Sequence, residues 1–560
     1  VQSIAQDKLF TSMSKKILKI HPDDNVLVAL TDLSAGEQID ADGHPITLPQ
    51  NVPAKHKFVI RDTQPDDEIK MYGITVGKAL AAIPSGAPVT TQNVRHQASS
   101  FSGKTRTFTW TAPDVSRWKG KTFNGYHRSD GQVGVANYWL VVPLVFCENR
   151  NVEAIREAFE AELGFGRTDV YKDFVRELVQ LYKAGNTSAI DSVLLTNGRH
   201  ANHSRLFNNI DGIKFLTHEG GCGGTRQDAE ALCRLIAGYV HNPNVAGATI
   251  LSLGCQNAQV DLLKEKLTEK NPDFNKPLII LEQQREGTEQ ELLANAIRQT
   301  FLGLMEANEL QRAPAPLSKL VVGLECGGSD GFSGISANPS IGHASDLLVA
   351  LGAATILSEF PELCGVEQEL INRCVDDEKA NRFIHLMRAY ARTAEAVGSG
   401  FDMNPSPGNI RDGLITDAMK SAGAAKKGGT SPVQDVIDYG DYVTRPGLNL
   451  LCTPGNDVES TTAMAGSGAA LMLFSTGLGT PTGNPIAPVI KVSSNTKLAR
   501  RMPDIIDIDT GPVISGESTI EEMGEKILDY IIEVASGNAK AKAVELNQND
   551  FIPWKRGVSL

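Results

Sequence analysis

The chain has 560 residues, with 54 Lys and Arg against 66 Asp and Glu and a formal net charge of −12. That length spans about three domains, and 41% hydrophobic with 21% charged residues is ordinary for a folded soluble protein. The acidic balance argues against a nucleic-acid partner, and no apolar run approaches the ~20 residues that span a bilayer.

The N-terminal stretch Val1 to Ile17 is polar and mixed in charge, unlike an export signal, so a cytoplasmic location is expected. Residues 17–96 read as a small β-rich domain. Val26–Leu30, Pro45–Leu48 and Phe58–Ile60 are short apolar stretches broken by Gly, Asp and Pro. Residues 97–120 lose apolar periodicity and are rich in Ser and Thr, which predicts a linker. From 121 to 312, strand-length apolar runs alternate with helical segments at Glu153–Glu162, Asp169–Ala184, Asp228–Val240 and Thr288–Glu309. That alternation predicts βαβ units and a parallel sheet. A Pro-rich step, Ala313–Pro316, marks a second boundary before a third α/β domain over 317–560.

Ligands of parallel α/β sheets bind beyond the carboxyl ends of the strands. Five predicted strands run into cysteine: Leu140–Phe146 into Cys147, Ile213–Leu216 into His218 and Cys222, Ala248–Leu253 into Cys255, Lys319–Leu324 into Glu325, Cys326 and Asp330, and Leu448–Leu451 into Cys452. A sixth, Leu471–Phe474, ends in Ser475, Thr476 and Gly477. Cys, His and carboxylate together suit iron or zinc. Against that stands the plainer reading that a cysteine in a reducing compartment is a small buried hydrophobe. Cys233, Cys374, His241 and His385 fall in helical or apolar context and read as structural. No P-loop or Rossmann fingerprint is present, so no NAD is expected.

At this point the motifs resemble the altronate/galactarate dehydratase family along residues 20–560. The likeness is carried by Arg128–Val135, Thr217–Cys222, Leu253–Cys255, Gly323–Gly331, Asn338–Pro339, Asn404–Asn409, Pro454–Asp457, Phe474–Gly477 and Gly479–Pro481, with His56–Lys57 and Tyr72–Gly73 in the small domain. The resemblance implies an N-terminal β-clip (SAF) domain, a middle domain and a C-terminal Rossmann-like domain. It also implies a cytoplasmic, homodimeric, ferrous-iron-dependent sugar-acid dehydratase of hexuronate breakdown, with manganese as a substitute. With D-altronate the product would be 2-keto-3-deoxy-D-gluconate; galactarate is the alternative substrate. One departure is clear: residues 88–93 (Pro-Val-Thr-Thr-Gln-Asn) carry no His where the family has a His-rich strand.

Dehydrating a 2,3-dihydroxy acid needs a base for the C2 proton, an acid for the C3 hydroxyl and charge stabilisation between them. The expected metal ligands are His218, Cys222, Cys255 and Cys326, with Glu325 or Asp330 beside them. His218 or Lys57 would be the base, and Arg128 would clamp the carboxylate. His56, Asp130, Asn456, Asp457, Thr476 and Thr480 would read the substrate. A variant is an iron–sulfur cluster on Cys147, Cys222, Cys255 and Cys326. The rival from another class is a non-catalytic sugar-acid-binding protein.

Overall fold

The computed structural model describes residues 16–41, 43–166, 170–195 and 205–560. The N-terminal tail up to residue 15 and the predicted helix start at Asp169 lie outside the described residues.

The N-terminal region, expected to be a SAF domain, is antiparallel throughout. Strands Ile17–Leu18, Val26–Ala29 and Lys57–Val59 form one sheet, Glu68–Met71, Ile74–Ala79 and Val94–Arg95 another, and Gln38–Ala41 with His44–Thr47 a hairpin. Its apolar core is not closed on itself. Val26, Val59, Ile69 and Val76 pack with Phe332, Ile335, Ile415 and Met419 of the C-terminal domain. Burial of that shared face fixes where the small domain sits.

Residues 97–120, expected as a linker, form a strap along the C-terminal domain. The Ser102 N–H donates to Gln368 at 3.0 Å, Trp110 Nε1 to Thr430 at 3.1 Å, and Trp118 Nε1 to Asp529 at 2.9 Å. Likewise Ala313–Pro316, expected as a boundary, belongs to a strand, Arg312–Pro316, that pairs antiparallel with Thr122–His127 and stitches the ends of the middle region together.

The middle domain has four parallel strands, β1 (Tyr138–Pro143), β2 (Gly212–Phe215), β3 (Val245–Ser252) and β4 (Leu278–Glu282), in the order β2-β1-β3-β4. Its main helices are α1 (Asn149–Glu162), α2 (Arg226–His241) and α3 (Glu289–Ala307). Thr288 and Glu291 close α3 with a reciprocal capping box, which the Thr-x-x-Glu spacing dictates.

The C-terminal domain is a seven-stranded parallel sheet of β5 (Val321–Cys326), β6 (Ala354–Leu357), β7 (Val433–Ile437), β8 (Gly447–Leu451), β9 (Leu471–Thr476), β10 (Val489–Ser493) and β11 (Ile508–Asp509). Their order is β7-β8-β6-β5-β9-β10-β11, so the winding reverses between β5 and β9. The helices used below are α4 (Ala337–Ala350), α5 (Asp377–Ala396), α6 (Asp417–Ala424) and α7 (Asp457–Gly466). Strands β5, β6, β8, β9 and β10 are mostly buried on both faces, as helix-covered parallel strands must be. Among the described residues no helix is long and apolar enough to cross a membrane.

Candidate active site

The winding reverses between β5 and β9, and beyond the strand ends at such a reversal lies the crevice in which open α/β sheets bind ligands. Strand β5 delivers Glu325 and Cys326 to it. Strand β6 delivers Ser358 and Glu359, and the turn Phe360–Leu363 adds Glu362. Asp457 opens α7, whose N-cap Asn456 accepts the Val458 and Glu459 N–H groups at 3.1 and 3.3 Å. Lys420 comes from α6 and Lys427 from the turn Ala425–Gly428 that follows it.

These groups contact one another directly. Lys427 Nζ lies 2.7 Å from Cys326 Sγ and 3.0 Å from Glu359 Oε2. Cys326 Sγ is 3.5 Å from Glu362 Oε2, and Lys420 Nζ is 2.5 Å from Glu362 Oε1. Asn404 supports that ion pair, donating to Glu362 at 3.1 Å and accepting from Lys420 at 3.0 Å. Glu325 takes hydrogen bonds from Ser358 at 3.2 Å and Ser460 at 2.5 Å. Glu359 holds a left-handed backbone, φ 63°, with its N–H on Thr453 Oγ1 at 2.8 Å. A non-glycine residue pays strain of order 1–3 kcal/mol for that conformation, as residues at functional sites often do.

Burial and mutual repulsion set the protonation states. Burial, reinforced by Glu359, pushes the Glu325 carboxyl well up, so Glu325 is the neutral member of that pair. Burial also raises Glu359 and the Cys326 thiol. Burial opposes ionisation of Glu362 too, but Lys420 and Lys427 outweigh it and hold that carboxyl below its usual range. Asp457 is raised to about 7 by burial and by the charges of Glu359 and Glu362. Lys491 on β10 is lowered to about 7 by burial, with Asp457 opposing the shift. The Gly327 backbone packs against the Asp457 carboxylate, an approach that a side chain there would block.

The arrangement can hold a divalent metal. Cys326 Sγ and one oxygen each from Glu359 and Glu362 lie within 4.8 Å of one another. Glu359 Oε1 is buried with no donor but the neutral Glu325 carboxyl, an acceptor that a cation can also satisfy. One thiolate with two carboxylates suits Fe2+, and Mn2+ by its carboxylates.

The sequence-expected metal set is thereby divided. Among the described residues only two groups bring three or more potential metal-ligating side chains together: Cys326–Glu359–Glu362, and His96–Cys364–Asp417 beside the N-terminal domain. Cys147, Cys222 and Cys255 follow three neighbouring strands of the middle sheet, exposed and outside either group. The four-cysteine cluster is therefore not assembled. His218 has both ring nitrogens spent on backbone: Nε2 donates to the Pro143 carbonyl at 2.7 Å and Nδ1 accepts the Gly220 N–H at 3.0 Å. Burial lowers its pKa to about 4, which keeps the ring neutral but leaves no lone pair for a metal or a proton.

Arg128 is likewise committed, donating to the Pro243 and Ala136 carbonyls and to Asn137 at 2.7, 3.3 and 3.1 Å. It pins the strand ends of the middle domain and has no free fork for a carboxylate. Asp130 closes the adjoining turn by accepting from Gln132. Asp330 accepts from Lys55, Ser333, Ser494 and Asn495 and anchors the SAF domain. Lys57, wholly buried, donates to the Gly413 carbonyl at 2.7 Å, and burial lowers it to about 7. His56 sits half-buried beside it. Thr476 Oγ1 accepts the Gly479 and Thr480 N–H groups at 2.9 and 3.2 Å and so shapes the β9 loop. Thr480 faces Gly328 across the crevice.

Of the expected residues, Glu325, Cys326, Asp457, Thr476 and Thr480 thus gather around the crevice. Glu359, Glu362, Lys420, Lys427 and Lys491 were missed. Applying the strand-end rule to Ala354–Leu357 would have found the two glutamates.

Profiles of three domain families cover most of the chain. The Altronate/galactarate dehydratase SAF domain matches residues 15–97. The D-galactarate dehydratase/Altronate hydrolase second domain matches 125–308, and the D-galactarate/Altronate dehydratase C-terminal domain matches 317–559. The chain is 33% identical over 549 residues to Altronate dehydratase of Bacillus subtilis (strain 168), covering 98% of this chain and 100% of the relative. It is 32% identical over 550 residues to Altronate dehydratase of Escherichia coli (strain K12), covering 97% and 99%. With Galactarate dehydratase (L-threo-forming) of the same organism it shares 31% over 528 residues, 93% of each.

Proposed function

We propose that this chain, which belongs to the altronate/galactarate dehydratase family, is the member that converts D-altronate to 2-keto-3-deoxy-D-gluconate and water with a divalent metal at the β5–β9 crevice. As a hydro-lyase of this kind it takes a small sugar acid. The choice of altronate rests on the two altronate dehydratases matched over nearly their whole length. One structural observation carries the mechanism: Asp457, partly exposed and poised at about 7, stands beside the Cys326–Glu359–Glu362 trio.

A proton α to an ionised carboxylate is very weakly acidic, so its removal needs the growing negative charge to be held. Fe2+ on Cys326, Glu359 and Glu362 would supply that as a Lewis acid toward the substrate carboxylate and 2-hydroxyl. The Asp457 carboxylate takes the C2 proton. The C–H electron pair becomes the C2–C3 double bond, the C3–O bond breaks, and the hydroxide leaves as water with a proton returned by Asp457. The enol then ketonises by taking a proton at C3 and releasing its O–H proton. A carboxyl at about 7 suits both halves of that transfer near neutral pH. Lys491, coupled to Asp457 by charge, tunes how readily the proton is given up. Lys420 and Asn404 hold Glu362 in place. Under this reading the chain acts in the cytoplasm as a homodimer.

The test is anaerobic turnover of D-altronate and galactarate with ferrous iron, manganese or chelator. Iron-dependent 2-keto-3-deoxy acid from altronate is expected. Turnover of galactarate alone would replace the substrate, and metal-independent binding without turnover would restore the binding-protein alternative.

A further inference from the structure

We propose a second transition-metal site, separate from the crevice, where the SAF domain meets the C-terminal domain: His96, Cys364 and Asp417 bind a zinc-class divalent ion. His96 follows the last SAF strand, Cys364 closes the turn Phe360–Leu363, and Asp417 is the first residue of α6. Three segments distant in sequence therefore converge, and their ligand atoms all lie within 4.8 Å of one another.

Two further observations point to a ligand. Asp417 is fully buried; its Oδ1 accepts from Ser421 Oγ at 3.3 Å, and its Oδ2 has no well-formed hydrogen bond, with only the weakly donating Cys364 thiol beside the carboxyl. A buried carboxylate oxygen facing a thiol and an imidazole is costly unless a cation satisfies it. The Ser421 hydroxyl fixes the carboxylate from behind, as outer hydrogen bonds orient metal ligands. Secondly, the site has an entrance. A cleft of about 450 Å3, lined by Arg95, His96, Ala391, Glu395, Phe401 and Asp402, opens onto the His96 side, whereas Cys364 and Asp417 are buried.

Imidazole, thiolate and carboxylate are the mixed N/S/O donors that zinc takes, at ~2.0–2.3 Å from the ion. Tetrahedral geometry then puts the donors ~3.5 Å apart, so binding asks for side-chain adjustments of about 1 Å. The cleft leaves the fourth position to water or to Asp402, whose charge His96 already feels. The ion would clip the small domain onto the catalytic one.

The full chain should be loaded with Co2+ or Zn2+, freed of excess metal, and compared with H96Q, C364A and C326S. The proposal expects H96Q and C364A each to lose about one metal per chain. Both should lose the near-ultraviolet thiolate-to-cobalt band belonging to Cys364, and the melting temperature of H96Q should no longer rise with added zinc. C326S reports on the crevice, so a failure there leaves this result readable. A metal content and cobalt spectrum in H96Q and C364A equal to those of the parent chain would overturn the proposal. So would a parent chain that binds no metal in excess of what C364A binds.

Discussion

Substituting Asp457 with Asn should cut turnover sharply while making the fold more stable. The carboxyl rises from 3.8 to about 7 on folding, and each unit is worth 1.36 kcal/mol. Folded Asp457 thus keeps a proton that the unfolded chain releases between those values, so stability falls as pH rises from about 4 to 7. Above that window the accumulated penalty is about 4 kcal/mol, which Asn escapes. Asn loses the favourable placement of a negative charge at a helix N-terminus, about 0.5 kcal/mol. A net gain of roughly 2–4 kcal/mol remains once partial exposure is discounted. Urea midpoints of the two proteins at pH 5 and pH 8 measure it: the variant's advantage should be small at the lower pH and grow toward the higher. Turnover of the variant should drop about 100- to 10,000-fold, the usual worth of a general base. A variant less stable than the parent at pH 8, or one that keeps its turnover, would refute the assignment.

The remaining substitutions separate the crevice from the residues committed elsewhere. E359Q and C326S should each lower bound metal at the crevice, whereas C222S and C255S should leave metal content unchanged by elemental analysis. G327A should push Asp457 aside and cut kcat by at least tenfold with a far-ultraviolet circular dichroism spectrum like the parent's. H218Q should retain turnover within a few-fold. It should also lose the acid-sensitive stability that neutral, buried His218 confers, about 3 kcal/mol present above pH 6.5 and lost as pH falls through about 4. R128M should destabilise the middle domain by about 3 kcal/mol, because three buried acceptors lose their donor, with little change in KM of the protein that remains folded.

The parallel architecture was legible because buried strands are continuous apolar runs with Gly and Cys at their ends, as in Val322–Cys326 and Ala248–Leu253. Strand β6 escaped because Ala354-Thr355-Ile356-Leu357 is short and follows Gly352 and Ala353 without a break, so it reads as the tail of the preceding helix. Glu359 and Glu362, beyond its carboxyl end, went with it. The lysines were hidden for a different reason. Lys427 and Lys491 are fully buried, but a lysine in sequence looks like a solvent-facing residue, and only the acids that surround it in space explain its place.

Residue type alone misassigned His218, Arg128 and Asp330, since each has the chemistry of an active-site group. What decides their role is how much of their hydrogen-bonding capacity is already used. Asp330 and Asp457 make the contrast sharp, because both flank the same Gly327–Gly328 loop. Asp330 Oδ1 accepts from the Phe332 and Ser333 N–H groups and from the Ser333 and Ser494 hydroxyls, while Oδ2 accepts from Asn495 and Lys55. Protonating it would break up to six interactions, so it can only hold structure. Asp457 has no hydrogen-bond donor on its carboxylate among the described residues and faces two like charges, so its charged and neutral forms come close to balance near neutral pH. An aspartate that can gain or lose a proton at little cost is the one able to move a proton on a substrate, and of these two it is Asp457 that the proposed reaction uses as its base.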